Sequence, residues 1–288
     1  MRTDAHLDES TRDAGSGFPT PSVRLGNDVV DLAHRACRER RPGDRFLERV
    51  LDPAEREWLG GDQERDTWMI RLWALWAAKE TAFKVVSKLA GAQDVFRHRG
   101  FVGSLELEDA GCRGVLRIRG RVRGPEVSGV VTVEGSSDGE HVHLVGWGAV
   151  REAEAGDRAP PLEAGLEAGS GRGAALADYR THFSDREWEG IRTVHGAEAR
   201  LRARARLEAY LGAEDRDRSG DRRKDRPSAV EILTSAERPG RTPPRIRVAG
   251  VDRPDLDLSL SHHGRFVAWA LLVPDPLTGA AEGETSTS

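Results

Sequence analysis

Residues 73–88 read WALWAAKETAFKVVSK and predict the helix around which the chain is organised. The stretch is rich in good helix formers and contains neither Gly nor Pro; counted from Arg71, it runs past roughly four turns. Glu80, Lys84 and Lys88 follow one another at steps of four and share a polar stripe. Beside that stripe, apolar side chains recur at helical spacing and form one broad face, namely Leu72, Leu75, Trp76, Ala82, Phe83 and Val86.

Lysine is scarce in this chain, and its distribution bears on the polar stripe. The chain has 44 basic residues but only four lysines, and three of them, Lys79, Lys84 and Lys88, lie in this helix. A Glu-to-Lys pair at this spacing on an ordinary helix surface contributes roughly 0.2–0.5 kcal/mol and needs no further role. Lysine is also a compact point charge with rotatable donors, which suits a phosphate oxygen beside a metal. We favour the phosphate interpretation because the lysines are concentrated here.

Three separate motifs resemble the 4′-phosphopantetheinyl transferase superfamily. Residues 76–84 (WAAKETAFK) fit its W-x-x-K-E-x-x-x-K signature. Residues 25–31 (LGNDVVD) resemble its G-x-D strand, and residues 258–262 (LSLSH) resemble its S-x-S-H strand. The three motifs span most of the chain, so their joint occurrence is more specific than any one of them alone.

The resemblance implies transfer of the phosphopantetheine arm of coenzyme A to a serine of an acyl- or peptidyl-carrier protein. It implies Asp28 and Glu80 as ligands of Mg²⁺, with Mn²⁺ as a substitute, and a carboxylate among the valines of a strand independently favours a bound cation or a helix cap. Glu80 would also accept the serine proton, directly or through a water on the metal. Lys84 would hold the pyrophosphate and stabilise the leaving group.

The same resemblance assigns the nucleotide end of coenzyme A to residues near the end of the chain. Residues 240–243 (GRTP) resemble the family's G-K-P turn with one residue inserted, so Arg241 would meet a phosphate. Ser261 and His262 would also bind the ligand, together with Lys84 and Lys88. A strand-end histidine taken alone is more often simply hydrogen-bonded. Weaker candidates are His263, Arg204 and Arg206.

Composition describes a soluble globular protein. Charged residues make up 32% of the chain and the net charge is −4. No apolar run is long enough to span a bilayer, and the polar start MRTDAHLDES shows no signal peptide, so we expect a cytoplasmic protein. Cys37 and Cys112 support neither a disulfide framework nor a zinc site.

The segment 33–50 is basic within a chain that is acidic overall. Arg35, Arg38 and Arg41 belong to this cluster, which nearby acidic residues partly neutralise. It is either a solvated helix face or a surface that steers an acidic partner, and in the family it resembles the corresponding helix docks the carrier protein. No stacking aromatic residues are interleaved with the arginines, which argues against nucleic acid.

We expect an α+β fold, a pseudo-dimer of two transferase-like halves, each a central helix packed on a small antiparallel sheet. The expected ranges are a disordered lead-in at 1–22, a first half at 23–150 with the metal site, a linker at 151–173, a second half at 174–273 with the S-x-S-H site, and a disordered tail at 274–288.

Two pairs of matching segments indicate an internal duplication. Residues 56–60 (REWLG) return 130 residues later as 186–190 (REWEG), and 146–149 (GWGA) return 122 residues later around Trp269. Each half carries motifs that the other lacks, which predicts one composite site between the halves of a monomer. The order of the halves reverses that of the surfactin-type enzymes. Val30 also stands where those two-domain enzymes carry a Glu ligand.

Two other functions remain open. A homologue that binds coenzyme A or a carrier protein without catalysis would share the fold, but the intact Asp28, Glu80 and Lys84 argue against it. An acetyltransferase would need a pyrophosphate-binding loop at the start of a helix, and the sequence shows none.

Overall fold

The first part of the protein is a five-stranded sheet with a long helix on one face. In the computed structural model the order is β1 (Val23–Asp31), α1 (Arg35–Arg38), α2 (Asp44–Val50), α3 (Pro53–Leu59), α4 (Arg65–Leu89), β2 (Val102–Asp109), β3 (Leu116–Arg123), β4 (Val130–Ser137) and β5 (His141–Ala149). The sheet is antiparallel throughout, in the order β1-β5-β4-β3-β2. The described residues are 22–38, 42–60, 64–90, 97–112, 114–124, 130–149, 160–170, 173–219, 230–234 and 242–273, with the backbone alone over 213–219.

The second part has a long helix and two three-stranded antiparallel sheets. Its elements are β6 (Leu162–Ala168), α5 (Asp185–Glu189), α6 (Val194–Ser219), β7 (Val230–Leu233), β8 (Arg245–Val248), β9 (Val251–Asp252), β10 (Asp257–His263) and β11 (Phe266–Leu272). The sheet orders are β10-β11-β6 and β7-β8-β9. The mixture of helices and antiparallel sheets confirms the α+β prediction. Among the described residues, no helix is both long and apolar enough to cross a membrane.

The expected linker over residues 151–173 contains a strand, which corrects that expectation. β6 pairs with β11 along its whole length, from Phe266 opposite Ala168 to Leu272 opposite Leu162. Its sequence, LEAGLEA, has few large apolar groups and therefore reads as a linker. Gly165 explains how it fits, because a Cβ there would lie closer than 3.0 Å to the ring of Trp269. The pairing partner, rather than local propensity, makes this segment a strand.

Helix α4 lies very close to strands β1 and β5 of the first sheet. Gly26 of β1 and Gly146 of β5 are register partners, and a Cβ on either would come within 3.0 Å of Thr81 in α4. The helix buries Leu72 and Leu75 fully, while Trp76 and Phe83 are only partly buried against the same core. This close approach brings the polar stripe of α4 within reach of the β1 carbonyls.

Strands β1 and β10 meet along what we call the seam, and side chains replace the usual backbone ladder there. Alternate N–H groups of β1 donate to alternate side chains of β10, always 232 residues further along the chain. Because the separation is constant, the two strands run in the same direction. The four bonds are Leu25 to Asp257 Oδ2 (2.7 Å), Asn27 to Ser259 Oγ (2.9 Å), Val29 to Ser261 Oγ (3.2 Å) and Asp31 to His263 Nδ1 (3.0 Å).

One buried arrangement occurs in both parts of the chain. Glu55 is the third residue of the α3 capping box, pairs with Lys79 of α4 (2.6 Å) and accepts the N–H of Gly103 in β2 (2.7 Å). Glu187 holds the same place in α5, pairs with Arg204 of α6 and accepts the N–H of Ile232 in β7.

The two glutamates are 132 residues apart, two more than the match between residues 56–60 and 186–190. The pseudo-dimer remains a prediction. Aligning the two parts on this shared arrangement gives an offset of 132 residues instead of the 130 of the sequence match.

Candidate functional site

Asp28 of β1 lies at the seam, where the two parts of the chain meet. Its Oδ1 accepts hydrogen bonds from Lys84 Nζ (3.0 Å) and from Ser261 Oγ (2.8 Å). Burial raises the pKa of Asp28 above its usual value; the positive charge of Lys84 opposes this shift, and the negative charge of Glu80 adds to it. A carboxylate from β1, a lysine from α4 and a serine from β10 therefore converge on one point.

Lys84 and Lys88 both reach across the seam, but they differ in exposure. Lys84 Nζ contacts the carbonyl of Asn27 (2.6 Å), Asp28 Oδ1 and, at 3.5 Å, the carbonyl of Leu260. Its side chain is 27% exposed, so part of it is open to solvent.

The ammonium group of Lys88 is enclosed by protein acceptors. Its side chain is 5% exposed, and Nζ donates to the carbonyls of Leu25 (2.7 Å) and Leu258 (2.9 Å) and to the carboxylate of Asp257 (3.0 Å). Burial lowers the pKa of Lys88, and the Asp257 carboxylate opposes that shift. Since the three donors of an ammonium group are all in use, we assign Lys88 to holding the seam together.

Glu80, one turn before Lys84, is held from its other side by an aromatic stack. Its Oε1 lies 3.1 Å from His98 Nε2. The His98 ring packs on Trp76 with ring centroids 4.1 Å apart, and the ring of Phe46 stacks on the same tryptophan with centroids 5.8 Å apart. The carbonyl of His98 accepts a hydrogen bond from Lys79 Nζ (3.2 Å), which holds this residue in the turn before β2.

A cavity of about 190 Å³ opens beside Lys84, on the α6 side of the seam. We call it the seam cavity. Its lining includes three cations, Lys84, Lys88 and Arg200. Among the described residues that line it, there is no Asp or Glu. This balance suits an anion such as a phosphate. The cavity is also lined by Phe83, Ser87, Thr242, Pro243, Leu260 and His262.

Arg200 and His262 supply the far wall of the seam cavity. Arg200 is 7% exposed and donates to the carbonyl of Gly196 (2.9 Å) and to Thr234 Oγ1 (3.0 Å), while its Nε has no partner among the described residues. Burial lowers the pKa of Arg200. Part of His262 is open to solvent, but desolvation of its ring, followed by repulsion from His195 and from the cations Lys84 and Arg200, lowers the pKa of His262 to about 4. A bound anion would offset those charges.

Comparison with known protein families gives one match. Residues 24–109 match the model of the 4′-phosphopantetheinyl transferase superfamily. The match supports the resemblance of this segment to that superfamily. The segment contains Asp28, Glu80 and Lys84, whereas Ser261 and His262 lie outside it. No curated protein matches the chain at a significant level.

Enzymes of the matched superfamily generally use Mg²⁺, and the two acidic residues of the sequence motifs, Asp28 and Glu80, both lie in the matched segment. The charge of Glu80 contributes to the raised pKa of Asp28, so the two groups are close enough to repel each other, and a divalent cation would offset that repulsion. Mg²⁺ characteristically takes one or two carboxylates and fills its other positions with water and phosphate oxygens. Over the described residues, no group of three or more His, Cys, Asp or Glu could hold a metal. Val30 is buried in the core and supplies no oxygen.

The basic helix α1 of the matched segment follows β1 after three residues. Arg35 and Arg38 are exposed on it, whereas Arg41 lies outside the described residues. Arg38 borders a surface groove of about 590 Å³ whose other lining includes Arg65 and Met69. The helix is also tied to the seam, because the ring of His34 contacts His263 with centroids 4.8 Å apart.

Several residues predicted to bind coenzyme A have other partners. Arg204 pairs with Glu187, and Arg206 pairs with Glu163 at the surface (2.8 Å). His263 accepts the N–H of Asp31 in the seam. Neither arginine lines the seam cavity. Arg241 lies outside the described residues, although the next two residues of its turn, Thr242 and Pro243, do line that cavity.

Two residues at the site could not be found by motif. Arg200 is one of many arginines in a helix rich in them, and the sequence gives no reason to select it. His98 lies in a polar stretch between α4 and β2 and belongs to none of the three motifs. The only sequence signal that could have pointed to His98 is its position shortly after the signature helix.

Proposed function

We propose that the protein transfers the 4′-phosphopantetheine arm of coenzyme A to a serine of an acyl- or peptidyl-carrier protein, in a Mg²⁺-dependent reaction at a composite site in the seam. The observation that carries the proposal is the position of Lys84. Its ammonium group borders the cationic seam cavity and also contacts Asp28, so phosphate groups in the cavity would lie next to the carboxylate pair.

Binding would divide between the two sides of Lys84. The adenosine 3′-phosphate and pyrophosphate are anionic; Lys84 and Arg200 would supply positive charge and donors to them, and the neutral ring of His262 would supply a hydrogen-bond donor. A divalent cation held by Asp28 and Glu80 would neutralise charge on the pyrophosphate when bound. Lys84 remains in place to stabilise the negative charge that develops on the leaving group.

The transfer step requires one proton acceptor. The serine oxygen of the carrier protein forms a bond to the phosphorus next to the pantetheine arm. The bond from that phosphorus to the bridging oxygen breaks, and adenosine 3′,5′-bisphosphate leaves with the electron pair. The serine proton passes to the Glu80 carboxylate, which the nearby His98 holds in a fixed position.

Mass spectrometry of apo-carrier proteins incubated with coenzyme A and Mg²⁺ tests the proposal. The wild-type protein should add one phosphopantetheine group to a carrier serine. Glu80→Gln keeps the shape of the side chain and removes its charge, and should lower the rate by roughly two orders of magnitude or more. Carrier proteins from fatty-acid, polyketide and nonribosomal-peptide synthesis should all be offered.

A control separates loss of catalysis from loss of folding. Glu80 is partly exposed and its carboxylate bonds to His98, so the Gln variant should melt near the wild-type temperature. Wild-type loading by Glu80→Gln would contradict the assignment of this residue. Tight coenzyme A binding with no loading of any carrier would instead favour a non-catalytic homologue.

A further inference from the structure

Ser261 makes two hydrogen bonds to β1 in the side-chain ladder of the seam. Like Asp257, Ser259 and His263, it accepts a backbone N–H of β1, in this case that of Val29. Unlike Ser259, it also donates a hydrogen bond to a side chain of β1, the carboxylate of Asp28. The residue is 6% exposed, so both bonds are shielded from water.

The hydrogen-bonding capacity of the Ser261 hydroxyl is committed by these two contacts. A hydroxyl has one proton to donate, and the 2.8 Å contact with Asp28 Oδ1 uses it, because an ionised carboxylate can only accept. No proton is then left for a phosphate oxygen. The neighbouring His262 makes a different contact, with its Nε2 3.5 Å from Thr193 Oγ1.

The two donors on Asp28 orient its carboxylate. Ser261 and Lys84 both contact Oδ1, whereas Oδ2 takes no hydrogen bond from any described residue. A carboxylate fixed through one oxygen presents the other in a defined direction. Partners that orient a metal-binding carboxylate in this way typically affect metal affinity by 10- to 100-fold when they are removed.

We infer that Ser261 is a positioning residue, whose hydroxyl orients Asp28 of the first part of the chain for a divalent cation rather than binding a phosphate of coenzyme A. The inference rests on the proposed function, since it assumes that Asp28 binds the metal. It also makes the metal site depend on β10, so both parts of the chain contribute to it.

Two binding measurements on the full chain test the inference without relying on turnover. The first is Mn²⁺ binding in the absence of coenzyme A, followed by the electron paramagnetic resonance of the free ion. The second is coenzyme A binding in the presence of a metal chelator, followed by calorimetry. Ser261→Ala should weaken Mn²⁺ binding about tenfold and leave metal-free coenzyme A binding within about twofold of the wild type.

Ser259→Ala is the matched control. It also removes a β10 hydroxyl that accepts a β1 N–H, that of Asn27, but this hydroxyl does not contact Asp28. Its Mn²⁺ affinity should therefore stay at the wild-type value. Ser261→Thr retains a hydroxyl and should restore Mn²⁺ binding. If Ser261→Ala does not fold, Ser261→Cys preserves the volume while replacing the hydroxyl with a weak donor, and the same loss of Mn²⁺ affinity is expected.

Two results would overturn the inference while leaving the proposed function in place. One is unchanged Mn²⁺ affinity in the Ala and Cys variants beside measurable binding by the wild type. The other is a loss of metal-free coenzyme A binding in Ser261→Ala alone, which would make Ser261 a phosphate ligand. If the wild-type protein binds no Mn²⁺, the metal site of the proposed function fails, and the inference fails with it.

Discussion

At the scale of single residues, the three clustered lysines turn out to have different roles. Lys79 is fully buried and pairs with Glu55, and burial lowers its pKa. Lys88 is enclosed by seam acceptors, and Lys84 alone of the three combines partial exposure with contacts to Asp28. The composition argument pointed to helix α4, but it could not separate a buried lysine from a partly exposed one, because burial depends on distant strands.

Replacing Lys88 should affect stability more than ligand binding. Lys88→Met leaves the Asp257 carboxylate and two carbonyls without their donor, and breaking a buried ion pair in this way costs on the order of 3 kcal/mol. Lys84→Met, the matched control, should cost less stability and weaken coenzyme A binding more, since Lys84 is partly exposed. Chemical denaturation and calorimetry measure the two effects, and equal stability losses in the two variants would contradict these assignments.

His143 of β5 predicts a pH dependence of stability. Its Nε2 is buried without a partner among the described residues, and burial, followed by the charges of His141 and Lys84, lowers the pKa of His143 to about 4 from 6.5. The unfolded chain therefore binds more protons between these two pH values. The free energy of unfolding should fall as the pH falls through that window, by at most about 3 kcal/mol from this group.

Denaturation curves across that pH range test the prediction for His143. His143→Leu should flatten the pH dependence, whereas His182→Gln, at an exposed histidine, should leave it unchanged. A His143→Leu variant with the full wild-type slope would show that other groups cause the effect.

At the scale of elements, the sequence predicted the helices and strands whose own residues carry a clear periodic pattern. The apolar face of residues 73–88 identified α4, and the antiparallel sheet expected in the first half is present as β1 to β5. β6 was missed because Leu162 and Leu166 alone do not mark a strand, and its pairing with β11 is a long-range contact. The hydrogen-bond ladder of the seam could not be predicted either, because the sequence around Ser259 and Ser261 does not indicate that β10 lies beside β1.

Charge changes in and just after helix α1 should weaken binding of the carrier protein and leave binding of coenzyme A nearly unchanged. Reversing the charge of Arg35, Arg38 and Arg41 to Glu should raise the KM for the carrier protein by roughly tenfold or more at low salt, because charges at a rim act mainly on association. The affinity for coenzyme A should stay near that of the wild type. Added salt should narrow the difference between variant and wild type, since it screens exposed charges. An unchanged carrier KM at low salt would rule out docking at this helix.

At the scale of the whole molecule, the site depends on contacts between distant parts of one chain. The ladder joins β1 to β10, Lys84 and Lys88 bridge both strands, and Asp31 forms an ion pair with Arg265 at 3.0 Å. Hydrogen bonds from Arg265 and from the backbone outweigh burial and lower the pKa of Asp31. These contacts are all within one chain, so we expect a monomer to carry a complete site.

Mixing two inactive variants tests this central claim most directly. Glu80→Gln damages the carboxylate pair, and the double variant Arg200→Met, His262→Ala damages the seam cavity in the other part of the chain. Each should load carrier protein poorly beside an active wild type. Because one chain supplies both sets of residues, an equimolar mixture of the two variants should remain as inactive as its components. Carrier loading restored well above the level of either variant would show a site shared between chains and would contradict the composite site within one chain.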